Sequence, residues 1–112
     1  MKETIKPVSS STTGRPIMVL LDILGQRWAL RILWELREER LTFRELQERC
    51  GQISPTVLNR RLKELREARL IDHGDGGFGY TEQGKELAQH LLALNSFAKH
   101  WAENNAFTGE SQ

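Results

Sequence analysis

Residues 41–70, LTFRELQERCGQISPTVLNRRLKELREARL, predict two helices joined by a tight turn. The first helix begins with a capping box, in which the Thr42 hydroxyl accepts a hydrogen bond from the backbone N–H of Glu45 and the Glu45 carboxylate accepts one from that of Thr42. Gly51 is a typical residue for the end of this helix. Ser54 is a favourable N-cap for the second helix, and Pro55 suits its first position. This arrangement is typical of a helix-turn-helix.

Apolar residues recur at helical spacing in both helices, which predicts one buried face on each. They are Phe43, Leu46 and Cys50 in the first helix and Val57, Leu58, Leu62 and Leu65 in the second. The polar side chains Thr56, Asn59, Arg60 and Lys63 of the second helix should therefore point away from the core.

Two helical patterns precede this motif. A first helix is predicted from Pro16 to a stop at Gly25. A second helix, predicted over residues 27–37, is apolar on most sides and should be central and buried, with Arg31 and Glu35 as an i,i+4 pair on its polar side. The apolar residues are Ile17, Leu20, Leu21 and Leu24 in the first helix and Trp28, Ala29, Ile32, Leu33 and Leu36 in the second.

A short hairpin and a long helix follow the motif. Residues 69–81 predict two strands around a Gly-rich turn, and Thr81 caps a final helix that runs to about Asn104. The main apolar stripe of that helix is Leu87, Leu91, Leu94, Ala98 and Trp101. Leu92 and Phe97 add a second apolar strip, which is more than one small domain normally buries. This surplus predicts a partner, most simply a second copy of the chain.

The hairpin stretch HGDGGFGY, residues 73–80, also places Gly74, Gly76 and Gly79 at the G-x-G-x-x-G spacing of dinucleotide-binding loops. Such a loop follows a buried strand and opens a helix within a βαβ unit, with an acidic residue about 20 positions further on. The surrounding sequence has no alternating strand and helix pattern, and Lys99 stands at that distance from Gly79. We interpret the glycines as turn residues.

The composition predicts one soluble globular domain over residues 15–104, with flexible tails at 1–14 and 105–112. The N-terminus lacks the apolar core of a signal peptide, and no apolar run is long enough to cross a membrane. A single cysteine excludes an internal disulfide framework. These features favour the cytoplasm, with nucleoid association if the partner is DNA.

The net charge of +1 conceals an uneven distribution. Residues 27–69 carry eleven Lys and Arg against seven Glu, and Arg dominates, whereas residues 70–112 carry two Lys against six acids. The basic middle favours a phosphate-bearing partner.

The residues that usually carry catalysis or metal binding do not form a recognisable pattern in this sequence. His73, His90 and His100 form no ligand-like cluster with Cys50, which we expect to be a buried small hydrophobe. We therefore expect no enzyme activity, no metal and no cofactor.

The pieces LGQRWALRILWEL, TFRELQ and ISPTVLNRRLKEL resemble the HxlR family of bacterial winged-helix transcription regulators, within the broader MarR-like group. The resemblance covers roughly residues 16–103. It implies an α+β, mostly α fold: a winged helix-turn-helix with extra N- and C-terminal dimerisation helices. It also implies a homodimer that binds a pseudo-palindromic operator in double-stranded DNA. The implied dimer contacts lie on the first and last helices, at Ile17, Leu20, Leu21, Leu91, Leu94, Phe97 and Trp101.

The sequence departs from the family pattern in three places. Many relatives carry a sensing cysteine just before the first helix, where this chain reads GRPIM. Arg69 replaces the usual glycine after the second helix of the motif, which is the recognition helix in this family. At that position Arg69 would have to adopt an unfavourable backbone conformation. The hairpin, or wing, is short and carries Asp72 and Asp75 but no arginine.

The resemblance and the helical spacing together predict which residues contact DNA. We expect Ser54, Thr56, Asn59 and Arg60 to read bases, since Asn suits adenine and Arg suits guanine in the major groove. The expected phosphate contacts are Arg27, Arg44, Arg61, Lys63 and His73. Arg27 and Arg44 equally suit intramolecular ion pairs, and Arg61 equally suits a brace to Glu64 or to a neighbouring helix.

Two further interpretations stay open. The acidic wing and near-neutral charge also suit a winged helix that binds another regulator without binding DNA. Trp28, Trp34 and Trp101 suit the core or an interface, but two of them could also line a pocket for an unidentified small-molecule effector.

Overall fold

Residues 14–105 are described by a computed structural model, in which they form five helices and one β-hairpin. The elements are α1 (Pro16–Leu24), α2 (Ala29–Glu35), α3 (Phe43–Cys50), α4 (Pro55–Glu67), β1 (Ile71–Gly74), β2 (Gly77–Tyr80) and α5 (Glu82–Asn104). This confirms the mostly helical α+β fold, with α3 and α4 as the helix-turn-helix and β1–β2 as the wing. The predicted tails lie outside the described residues, apart from Gly14 and Asn105.

The helix starts agree with the capping residues. The Thr42 hydroxyl accepts from the Glu45 N–H at 3.1 Å, and the Glu45 carboxylate accepts from the Thr42 N–H at 2.8 Å, which completes the capping box. Ser54 Oγ accepts from the Val57 N–H at 3.1 Å at the start of α4. Thr81 Oγ1 accepts from the Gly84 N–H at 3.0 Å at the start of α5. Side-chain oxygens therefore satisfy backbone donors that a helix start leaves unpaired.

The second helix differs from the prediction. It covers Ala29–Glu35 instead of residues 27–37. Trp28 has φ 79, in the left-handed region, so Arg27 and Trp28 belong to the turn that follows α1. At the other end, the Leu36 N–H is shared between the carbonyls of Ile32 and Leu33, both at 3.2 Å, which tightens the last turn and ends the helix.

The core lies where α2, α3, α4 and the wing meet. Its largest fully buried side chains are Ile32, Leu33, Leu41, Leu46, Leu58, Leu62, Leu65 and Ile71. Leu41 also extends the sheet: its N–H and carbonyl pair with the carbonyl and N–H of Phe78 at 3.0 and 2.7 Å. The wing is therefore fixed to the chain segment just before α3 as well as to its own strands.

The end of α4 is shaped by Arg69, which has φ 63. The expectation of an unfavourable backbone conformation at this residue is confirmed. The left-handed turn brings the Leu70 N–H back to the Leu65 carbonyl at 3.0 Å, a bond typical of helix ends at which glycine is preferred. The Arg69 carbonyl also accepts from Thr81 Oγ1 at 2.6 Å, which connects the end of α4 to the start of α5.

Candidate nucleic-acid interface

The outer face of α4 is polar and exposed. Thr56, Asn59, Arg60 and Lys63 are all exposed, and so is the N-cap Ser54. The opposite face carries Leu58, Leu62 and Leu65, which are at most 1% exposed. The prediction that these polar side chains point away from the core is confirmed, and nothing in the described chain covers them.

An open groove separates the outer face of α4 from the wing. Its polar and charged lining residues are Thr56, Asn59, Arg60, Lys63, Arg66, Glu67, Asp72 and His73. All predicted base-reading residues except Ser54 thus border one concave surface. The His73 ring stacks on the Phe78 ring across the hairpin, with centroids 4.1 Å apart and planes 6° from parallel. His73 is exposed, and this stacking holds it at the wing side of the groove.

Arg66 belongs to this surface and was missed in the sequence analysis. It is exposed and lines the groove one helical turn beyond Lys63. Arg66 lies seven residues after Asn59 and three after Lys63, so the three residues share one face of the helix. This spacing is visible in the sequence and could have identified Arg66.

Arg61 points inward, in contrast to its neighbour Arg60. It is 9% exposed, and its Nε donates to the Arg27 carbonyl at 2.8 Å. Its Nη1 donates to Glu64 Oε1 at 3.0 Å. Both bonds correspond to the bracing role that the sequence analysis left open, so the assignment of Arg61 as a phosphate contact is not supported. The side chain instead connects α4 to the turn between α1 and α2.

Replacing Arg61 with Ala should therefore lower stability, and replacing Lys63 should not. We expect Arg61→Ala to reduce the free energy of unfolding by about 2–3 kcal/mol, since it removes a buried side chain and leaves a carbonyl and a carboxylate without their donor. Lys63→Ala should change it by less than about 0.5 kcal/mol. Urea unfolding of the two variants measures the difference, and equal effects would contradict this account of Arg61.

The other two predicted phosphate contacts are accessible. The Arg44 side chain is 87% exposed and lies 3.7 Å from Glu48 in an i,i+4 pair. Arg27 is exposed, and its guanidinium carbon lies 5.8 Å from the centroid of the Trp28 ring. Exposed pairs of this kind contribute little to stability, so neither contact commits the arginine to the fold.

Helices α1 and α5 carry large exposed apolar side chains. On α1, Ile17 is 53% and Leu21 51% exposed; on α5, Leu92, Leu94, Phe97 and Trp101 are 50%, 57%, 61% and 49% exposed. The other two residues predicted at the dimer contact, Leu20 and Leu91, are half-buried against the core of their own chain. We call the six exposed residues the terminal apolar surface.

Cys50 is buried, as predicted, and its burial raises the pKa of the thiol while the nearby Arg31 partly opposes that rise. A thiol in this environment stays protonated and packs as a small apolar group. Within residues 14–105, no three His, Cys, Asp or Glu side chains are grouped so that they could hold a metal ion. None of the described helices combines the length and apolar character that crossing a membrane requires.

Comparison with known proteins agrees with this geometry. The family model for the HxlR-like helix-turn-helix matches residues 23–106. A relative from Methanothermobacter thermautotrophicus, described as an uncharacterized HTH-type transcriptional regulator, is 27% identical over 84% of this chain and 77% of its own. The quinone-bound crystal structure of YodB from Bacillus subtilis is 26% identical, with a TM-score of 0.69 over 75% of this chain and 96% of that chain.

A crystal structure from Thermoplasma volcanium, described as a possible HxlR family transcriptional factor, shows the same fold. It is 24% identical, with a TM-score of 0.68 over 80% of this chain and 86% of that chain. The family model covers most of the sequence and includes the whole helix-turn-helix and wing. The chain therefore belongs to the HxlR-like helix-turn-helix family and is a winged-helix transcriptional regulator.

Proposed function

We propose that the protein binds a pseudo-palindromic DNA operator as a homodimer and regulates transcription from it. The main support for this proposal is the exposed polar face of α4, which forms one side of a groove whose other side is the wing. A recognition helix that enters the major groove requires such a face. Membership of the HxlR-like helix-turn-helix family indicates that the partner of this face is DNA.

In this proposal, each α4 reads one half-site. Arg60 donates two hydrogen bonds to a guanine, and Asn59 pairs with an adenine. Thr56 and Ser54 contact a base or a phosphate near the helix N-terminus. Arg27, Arg44, Lys63 and His73 contact phosphates, and Arg66 joins them, whereas Arg61 supports the helix from inside.

The terminal apolar surface supports the homodimer. Six large apolar side chains, each about half exposed, lie on α1 and α5, and none of them lines the groove. Isologous contact between two copies would bury this surface and relate the two α4 helices by a two-fold axis. The recognition helices would then reach major grooves about 34 Å apart or a multiple of that distance.

Enrichment from a random duplex library tests this proposal. We expect the selected sequences to be inverted repeats with half-site centres 10–10.5 base pairs apart or a multiple of that. Arg60→Ala should weaken binding to the selected operator by about 1–3 kcal/mol and relax the preference at one base pair in each half-site. Lys63→Ala serves as the matched control, because loss of a phosphate contact weakens all sequences alike. Unchanged selectivity in Arg60→Ala would contradict the base-reading role.

A further inference from the structure

Arg40 lies across the outer face of the wing. Its Nη1 donates to the Gly77 carbonyl at 2.8 Å, and its Nη2 lies 2.5 Å from Asp72 Oδ1. The next residue, Leu41, is the one whose backbone pairs with Phe78 of β2. Arg40 thus begins at the edge of the sheet and reaches over both strands.

Gly79 of the hairpin provides the space for this side chain. A Cβ atom on Gly79 would lie 2.7 Å from Arg40 Cγ and 3.1 Å from its Cζ. Cβ atoms on Gly74 and Gly76 would also have Arg40 atoms as their nearest neighbours, but at 3.7 and 3.8 Å, which is ordinary van der Waals contact. All three glycines of the G-x-G-x-x-G match therefore border the same arginine, and Gly79 is the one whose missing side chain makes room for it.

The arginine also pairs with the acid of the first wing strand. Asp72 precedes His73 in β1, so its side chain lies on the opposite face of the hairpin from the His73 and Phe78 rings that border the groove. Its ion pair with Arg40 therefore lies on the outer face of the wing. Asp72 lies directly opposite Gly79 in the strand register, so the pairing requires the space that Gly79 leaves.

We propose that Arg40 is a positioning residue for DNA binding: it ties both strands of the wing to the segment before α3 and so fixes the wing beside α4. This inference rests on the proposed function, because it assigns Arg40 a role in DNA affinity. The contact between Arg40 and the glycines can nevertheless be tested without DNA, so that failure of one proposal is distinguishable from failure of the other.

The first experiment is a double-mutant cycle of Arg40→Ala and Gly79→Ala, followed by thermal unfolding. A methyl group on Gly79 displaces Arg40 near the base of its side chain, so Gly79→Ala should lower Tm by roughly 5 °C or more. Arg40→Ala should lower Tm by less, because its ion pair with Asp72 is largely exposed. The double variant should be no less stable than Arg40→Ala alone, because the group that collides is gone. Additive losses would overturn the proposed contact.

The second experiment measures affinity for the selected operator across a range of salt concentrations. Arg40→Ala should weaken binding about tenfold and leave the salt dependence unchanged, because Arg40 acts through the wing. Arg49→Ala is the matched control, since Arg49 is also a partly exposed arginine in an ion pair, with Glu39 at 3.0 Å, and it should bind as the parent does. Unchanged affinity of Arg40→Ala, or a salt slope reduced by about 1, would overturn the positioning role, the latter by showing a direct phosphate contact.

Discussion

Replacing Phe97 with Glu should convert the proposed dimer into monomers and lower the affinity for the operator about a hundredfold or more. Phe97 is 61% exposed on α5, so the charge does not disturb the core of the chain but lies in the proposed contact between copies. A dimer gains its affinity by binding two half-sites through linked domains, a gain of about 10²–10⁴ that a monomer loses. Light scattering should give the mass of one chain, 12.9 kDa, instead of twice that value.

Gln89→Glu is the matched control for this variant. Gln89 is also an exposed residue of α5, it gains the same charge, and it lies outside the terminal apolar surface. We expect it to remain dimeric and to bind the operator as the parent does. If Phe97→Glu stayed dimeric at micromolar concentration, the terminal apolar surface would not be the dimer contact.

Replacing Gly84 with Ala should destabilise the fold severely, although alanine is normally favoured over glycine within a helix by about 1 kcal/mol. Gly84 is buried in the first turn of α5, and a Cβ atom there would lie 2.0 Å from the Leu70 carbonyl oxygen and 3.2 Å from Tyr80 Cβ. The nearest atom belongs to the backbone, so a rotamer change cannot relieve the collision. We expect a loss of roughly 3 kcal/mol and a Tm lowered by more than about 10 °C.

The control for Gly84→Ala is Gln89→Ala in the same helix, which should change stability by less than about 0.5 kcal/mol. Both variants should be compared with the parent at one protomer concentration, because the proposed dimerisation would make Tm depend on concentration. A Gly84→Ala protein as stable as the parent would show that α5 does not pack against Leu70 as closely as described.

The local features of the fold were predictable because their causes lie within a few residues. The Thr42 capping box and the Ser54 cap depend on side chains three positions from the backbone groups they bind, so spacing alone identifies them. The left-handed conformation of Arg69 followed from its position after α4. The exposed face of α4 followed from helical periodicity, and with it most of the candidate site.

The remaining features depend on contacts between distant segments. Arg61 and Arg60 are adjacent charged residues, and only the packing of α4 against the turn at Arg27 decides which of them points inward. Arg40 binds residues more than thirty positions away, so its place on the wing has no local signature. Trp28 adopts a left-handed conformation that its residue type disfavours, and the helical pattern around it therefore predicted too early a start for α2.

Titration of fluorescent duplex DNA with the purified protein, repeated at increasing salt, tests whether the protein binds DNA through α4. If α4 and its neighbouring cations contact DNA, random duplex should be bound at about 50 mM salt. The logarithm of the affinity should then fall with log salt at a slope of about −7, for roughly eight phosphate contacts per dimer from Arg27, Arg44, Lys63 and Arg66. Absence of binding to any duplex at this salt concentration would contradict the claim and would favour a winged helix that acts by binding another protein.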